Sequence, residues 1–428
     1  MFIINEMIKS TSLFLKKNKQ FNNLIIYGVG QGFNLITPLL VVPYIVSICG
    51  VANYGKISIA MAIFFFLMVF IDYGSDIVGV KEIAVNRENP NQLEKIFITT
   101  FSTKFILLLV TLFFSSLLFY FVPFFNSERT LFFLGLPILV GQFINPTWYL
   151  QGIENFKWIT ILTIVSKLIY LFGIFFFIHQ KADYIFINLF WGIGTIIANM
   201  IPFIYLIKKN SFSFRNTIKE EVILLLKSNF SLFSSQIFVS LQMYAPIMLI
   251  GFFGNNLLAG NYKIVEQIIV IFKTYIYLFF NFVYPRVCYL LESNIQKGLR
   301  FWKTYNGLNF IFILLSMIVL FLFSFQIVTY FSKTEVIQIS SLLQLAVLIP
   351  ILLAISIPFK QLVLGFNHQK FYIRITMIMV VINLLAMMII IPYFKLIGVF
   401  STLIITELIT ICIYYYNVKE KFKLNKTV

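Results

Sequence analysis

Residues Asn53 to Arg87 read NYGKISIAMAIFFFLMVFIDYGSDIVGVKEIAVNR. After Lys56 come fifteen uncharged residues, close to the roughly 20 apolar residues that carry a helix across a bilayer. Asp72 and Asp76 follow, four apart and therefore on one face of a continuous helix, and then the charged run Lys81, Glu82 and Arg87. The stretch is expected to form one membrane-crossing helix with two carboxylates toward one end. Hydrocarbon does not tolerate that pair, so they face either water at the membrane boundary or a polar cavity inside a helical bundle.

The rest of the chain repeats the pattern. Of 428 residues, 60% are hydrophobic and only 11% charged, with a mean hydropathy of +0.92, which excludes a soluble domain. Apolar runs fall at approximately 22–48, 55–80, 96–121, 129–151, 158–179, 185–207, 222–250, 258–285, 302–326, 336–362, 372–391 and 396–417. The connections are too short for a separate soluble domain. Backbone in lipid must satisfy its own hydrogen bonds, so an all-α integral membrane protein of about 12 transmembrane helices is expected. Met1 to Gln20 is polar and basic, and the first apolar run is long enough to span, so no cleavable leader is expected.

The net charge of +17 raises nucleic acid as a partner, but the placement of the basic residues explains it more simply. With spans crossing alternately, 22 Lys and Arg fall on the N-terminal side and five on the other, an asymmetry that puts both termini in the cytoplasm. Cys49, Cys288 and Cys412 lie far apart with no metal-ligand spacing. There is no GxxxxGK[ST], GxGxxG after a strand, or HExxH, and His179 and His368 sit near span ends. Nothing supports ATP hydrolysis, a metal site or a glycosyltransferase, and no cofactor or enzymatic activity is expected.

The longest connection on the basic side, around Lys208 to Glu221, follows six spans and divides the chain into expected lobes at 1–210 and 211–428. The halves rhyme. PTWYLQGIENFKW (146–158) follows span four and PFKQLVLGFNHQKF (358–371) follows span ten, each with a Gly, then a Lys five residues on, then an aromatic. A weaker echo pairs Pro43 and Gly55 with Pro246 and Gly260. Two lobes of six spans have the same orientation, so an axis along the membrane normal relates them, with a site between. Prolines inside spans, among them Pro38, Pro43, Pro246, Pro350 and Pro358, permit bends.

Charges inside the spans mark the candidate site. Lys167, Lys273 and Glu407 fall near mid-membrane, where an unpaired charge costs roughly 2.5 to 3.5 kcal/mol. In span eight Tyr262, Glu266, Lys273 and Tyr277 are spaced 4, 7 and 4 and share one stripe, with Lys263 beside it. One reading is a cavity wall in which Lys273 attracts an anionic group, Glu266 orients Lys273 and the Tyr rings stack on sugars. The other is a Glu/Lys structural pair between helices. For Lys104, Lys227 and Lys360, near span ends, snorkelling is as good a reading as a cavity role. Gln236 and its neighbours Asn229, Ser234, Ser235, Ser240 and Gln242 in span seven, with Gln31 and Asn34 in span one, either bind sugar hydroxyls or join helices. At about 1.5 Å per residue Asp72 lies about 25 Å from the far end of its span. It and Asp76 are thus placed at the cytoplasmic mouth.

PTWYLQGIENFK (146–157) resembles the Trp-Tyr-Phe-Gln-Gly-x-Glu loop of bacterial oligosaccharide flippases of the Wzx type. Tyr54-Gly55, Asp72-Tyr73-Gly74 and Ile83-Ala84 up to Arg87 resemble that family's second-helix pattern. The resemblance implies the fold of the multidrug/oligosaccharidyl-lipid/polysaccharide exporter superfamily, two six-helix lobes around a central cavity. It implies O-antigen or other lipopolysaccharide and polysaccharide biosynthesis in the bacterial inner membrane. The expected substrate is an undecaprenyl-pyrophosphate-linked oligosaccharide, moved from the inner to the outer leaflet by alternating access, with the glycan polymerase machinery as a possible partner. The family usually has Arg where this chain has Lys81, which weakens a bidentate pyrophosphate role there. On this reading Lys273, Glu266, Tyr262, Tyr277, Lys263, Gln236 and Asn34 bind substrate. Asp72, Asp76, Glu407 and Lys167 gate the pathway or couple it to a proton or cation gradient. A drug/cation antiporter of the same superfamily is the alternative. It is disfavoured because six Lys against four acids lie within the spans.

Overall fold

The computed structural model describes residues 19–210, 212, 219–366 and 368–424; Lys9, Lys16, Lys17, Arg215 and Lys426 of the basic count lie outside the described residues. Helices account for the described secondary structure, and no strand occurs among the described residues. The spans are α1 (Lys19–Cys49), α2 (Val51–Asp72), α3 (Pro90–Phe121), α4 (Arg129–Gly152), α5 (Phe156–Phe177), α6 (Ile187–Asn210), α7 (Lys219–Phe253), α8 (Asn256–Ser293), α9 (Ile295–Leu322) and α10 (Val336–Gly365). The last continuous helix, Gln369–Leu424, is broken at Lys395 (φ 48°, ψ −136°). That break makes two spans of it, α11 (369–394) and α12 (396–424), and brings the count to the expected twelve. The protein is a multi-pass, all-α membrane protein.

Local chemistry sets several of the helix starts. Asn89, Asn155, Asn255 and Asn294 each accept a hydrogen bond from a backbone N–H in the first turn of α3, α5, α8 and α9, satisfying a donor the helix itself cannot reach. Pro90 follows its cap in α3, where a missing N–H costs nothing.

The chain forms two compact units. One comprises residues 1–41 and 60–240, the other 42–59 and 241–428. Each holds an aromatic-rich core. In the first, Phe97, Phe101, Trp148 and Tyr149 pack around Ile83 and Leu162. In the second, Val283, Val287 and Leu291 pack on Leu362, Val363 and Tyr414.

The sequence rhyme is also a rhyme of structure. After α4, Ile153 N–H donates to Tyr149 O (3.1 Å) and Asn155 N–H to Leu150 O (2.8 Å). After α10, Phe366 N–H donates to Leu362 O (2.9 Å) and His368 N–H to Val363 O (3.0 Å). Both are the reaching-back bonds that close a helix C-terminus. In each unit the glycine before the turn admits an apolar neighbour: a Cβ on Gly152 would lie 2.6 Å from the Ile83 side chain, and one on Gly365 2.9 Å from Leu291.

The weaker echo is reciprocal contact. Gly55 is the fifth residue of α2 and Gly260 the fifth of α8, and within the second unit these first turns cross backbone to backbone. A Cβ on Gly55 would lie 1.8 Å from Asn256 O and 2.8 Å from Gly260 N, and one on Gly260 would lie 2.1 Å from Val51 O. Each glycine admits the carbonyl four residues before the other, the small-residue contact that lets membrane helices approach closely.

The opening stretch is not one helix. α2 stops at Asp72, Tyr73 (φ 44°) and Gly74 (φ 81°) adopt left-handed backbone, and a wider turn of helix at Ser75–Gly79 leads into Val80–Val85. Two successive left-handed residues cannot continue a right-handed helix. Asp72 and Asp76 therefore do not share a helical face, contrary to the expectation from their spacing.

The Gly55 crossing predicts that Gly55→Leu, which must push two backbones apart, costs about 1–3 kcal/mol, read as a lower melting temperature of the purified protein. Gly307→Ala, where an added Cβ meets nothing within 4 Å, is expected to be neutral or mildly stabilising.

Candidate functional site

In the first unit the break after α2 organises the polar groups. Asp72 accepts from Lys104 Nζ of α3 at 3.0 Å and from Gln142 Nε2 of α4 at 2.5 Å. The Lys104 side chain is 2% exposed and that of Asp72 21%, and the Lys104 ammonium also lies 5.8 Å from the Phe101 ring. Lys104 does not snorkel: a buried carboxylate within reach is a better partner than distant water. Asp76 is exposed and accepts from Gln236 Nε2 of α7 at 2.6 Å. Between them Tyr73 stacks on Phe233 at 4.3 Å and donates its hydroxyl to Leu226 O at 3.2 Å. The two carboxylates thus face different helices, one against α3 and α4 and the other against α7.

Gln236 is accordingly engaged with Asp76. Asn34 donates to Gln31 of its own helix at 3.4 Å. Lys167 is 9% exposed, and its ammonium sits 3.5 Å from the centroid of the Trp191 ring, with Tyr170 edge-on to that ring at 5.1 Å. This is a cation held by an aromatic face, with no carboxylate bonded to it among the described residues.

In the second unit the stripe of α8 divides. Tyr262 is 3% exposed and stacked on Phe400 of α12 at 5.5 Å, a packing residue. Glu266 accepts from Lys263 Nζ at 2.6 Å, so its carboxylate engages the lysine one turn away instead of Lys273. Sequence spacing offered both partners, and the shorter reach along one helix is the one formed. Lys273 keeps only electrostatic interactions with Glu266, Glu407 and Lys263 and makes no hydrogen bond or ion pair among the described residues. Tyr277 is half exposed.

Glu407 of α12 accepts from Ser356 of α10 and lines a cavity of about 100 Å³ with Tyr277, Lys360, Tyr372, Asn383 and Thr406. Lys360 does not snorkel either: its ammonium lies 5.2 Å from the Phe280 ring and 4.6 Å from the Tyr372 ring. Sequence reasoning named Tyr277, Lys360, Gln242 and Glu407 of this wall, but neither Gln142 as the partner of Asp72 nor Ser356, Tyr372, Asn383 and Thr406 as neighbours of Glu407. Helices far apart in the chain supply these groups, and ordinary Thr, Asn and Tyr residues carry no linear signal.

A family model described as polysaccharide biosynthesis protein matches residues 21–289. The chain is 26% identical over 395 residues, 90% of its length and 93% of the relative's, to the "Putative O-antigen transporter" of Escherichia coli K12. It is 21% identical over 391 residues to the protein of the same name from Shigella dysenteriae, covering 91% and 97%. Among solved structures it aligns with lipid II flippase MurJ in an inward closed conformation (TM-score 0.72, 17% identity, 92% of this chain and 87% of that one). It also aligns with an inward-facing MATE family transporter of the MOP superfamily (TM-score 0.71, 13% identity, 96% and 100%). At these identities the likeness to solved structures is one of fold.

The Asp72–Lys104 pair predicts that Lys104→Ala, which strands a largely enclosed carboxylate, destabilises the protein by about 3–5 kcal/mol, with the double change Lys104→Met, Asp72→Leu recovering most of it. Melting temperatures of the purified single and double variants test this, and a double variant no more stable than Lys104→Ala would remove the pairing as the cause.

Proposed function

The chain belongs to the polysaccharide biosynthesis protein family, and from that membership we propose that it is a flippase for a polyprenyl-pyrophosphate-linked oligosaccharide. It moves its substrate from the inner to the outer leaflet of the bacterial plasma membrane by alternating access, with both termini in the cytoplasm. The proposal makes it a transporter and not an enzyme, with two six-helix lobes around the pathway. Relatives that align over nine-tenths of the chain carry the name of O-antigen transporters, which supports a glycan cargo over a drug or a simple cation.

The observation that carries the reading is Lys273. A pyrophosphate bearing a hydroxyl-rich glycan does not cross about 30 Å of hydrocarbon unaided. A membrane-embedded ammonium lowers that barrier only if no carboxylate has already neutralised it. Glu266 is engaged by Lys263, which leaves Lys273 the cation to meet an anionic group. Lys167, held by Trp191 alone, is a second cation of this kind. The same arrangement disfavours a cation antiporter, whose membrane acids would face its ligand: Asp72 and Glu266 are bound to Lys104 and Lys263. Asp76 and Glu407 remain the candidates for coupling transport to a proton or cation gradient.

Deleting the protein from its source strain is expected to abolish the surface glycan and to accumulate lipid-linked oligosaccharide in the inner leaflet; a normal surface glycan would overturn the flippase reading. In the complemented strain Lys273→Ala is expected to lower surface glycan about tenfold, whereas Lys273→Arg, which keeps the charge, does less harm. Equal glycan from all three forms would remove Lys273 from the mechanism.

A further inference from the structure

The cavity of about 100 Å³ in the second unit has a lining that does not include Lys273. We infer that it is a subsite for a sugar ring of the transported glycan and not for its pyrophosphate; the inference rests on the flippase reading. The cavity is lined mainly by neutral hydrogen-bonding and aromatic side chains from α7, α8, α10, α11 and α12. A polar cavity among membrane helices is stable only when its donors and acceptors meet water or a ligand.

Charge selects the ligand. The lining carries one Lys, Lys360, and one Glu, Glu407, whose formal charges cancel, so the lining itself adds no net attraction for a pyrophosphate to that of Lys273, which acts on Glu407 from outside it. The presence of Lys360 likewise opposes a bound metal cation. A pyranose presents apolar C–H faces and a rim of hydroxyls, and the lining matches both. Tyr277, Tyr372 and Tyr414 give rings for the faces and hydroxyls for the rim.

The hydrogen-bond inventory leaves capacity for that rim. Thr406 donates to Asn383 Oδ1 at 3.1 Å, so Asn383 is held by its oxygen while its amide protons make no bond among the described residues. Thr410 donates to the carbonyl of Thr406 at 2.8 Å, which leaves its hydroxyl oxygen as an acceptor. Glu407 takes the Ser356 hydroxyl, and its carboxylate has further lone pairs for a sugar hydroxyl. Donors and acceptors are thus preset by bonds to the protein, the arrangement that favours binding a polyhydroxyl ligand.

The test compares two lipids on the full chain in nanodiscs: lipid-linked oligosaccharide extracted from the source strain, and polyprenyl pyrophosphate bearing no sugar. Asn383→Leu removes the free amide, and Thr410→Val is a near-isosteric second variant should the first fail to fold, with Thr410→Ser as the conservative control. The expected result is about tenfold weaker binding of the glycosylated lipid to either variant, unchanged binding of the bare lipid, and recovery in Thr410→Ser. Equal loss for both lipids, or no loss for either, overturns the sugar subsite while leaving the flippase reading intact. Wild-type protein that binds neither lipid overturns the flippase reading and the subsite with it.

Discussion

A backbone N–H or C=O left unbonded in hydrocarbon costs about 2–7 kcal/mol, and an unpaired charge there adds its own penalty. Those two costs explain why the described secondary structure is helical and why the exceptions to helix are few and placed. The left-handed residues Tyr73 and Gly74 stop α2, and the two side chains flanking that turn are engaged: Tyr73 through its ring and hydroxyl, Asp72 through Lys104 and Gln142. Irregular backbone at this depth is tolerated because protein surrounds it.

The same constraint sorts the embedded charges by what they can still do. Asp72 and Lys104 satisfy each other, as do Lys263 and Glu266. The first pair joins α2 to α3, and the second lies along α8. Among the described residues Lys167 and Lys273 have no bonded carboxylate, and a lone ammonium is costly to keep unless a ligand or water meets it. Glu407 stands between these classes, bonded to Ser356 yet facing a cavity with room for more. Charge pairing therefore separates embedded charges already satisfied by the protein from those that are not, a distinction that counting charges does not make.

The internal repetition of the sequence is matched in packing. The turns after α4 and α10 close with the same bonds, and Gly55 and Gly260 admit each other's helices at matching positions.

Hydropathy, the spacing of apolar runs and the placement of Lys and Arg were enough to read an all-α membrane protein of about twelve spans, because lipid allows so few backbone solutions. The Trp-Tyr loop and the Asp-Tyr-Gly motif were enough to place it in a family. The partners of the charges were not legible. Asp72 and Asp76, four apart, looked like one helical face until Tyr73 and Gly74 turned the chain. Glu266 had two lysines within reach, and only the folded helix showed that it takes Lys263. The wall around Glu407 comes from five helices, the farthest contributing residues more than 160 positions away. A linear sequence fixes what each residue can bond to. Which bond forms depends on side-chain distances of a few ångströms, and those are set when helices remote in the chain pack together.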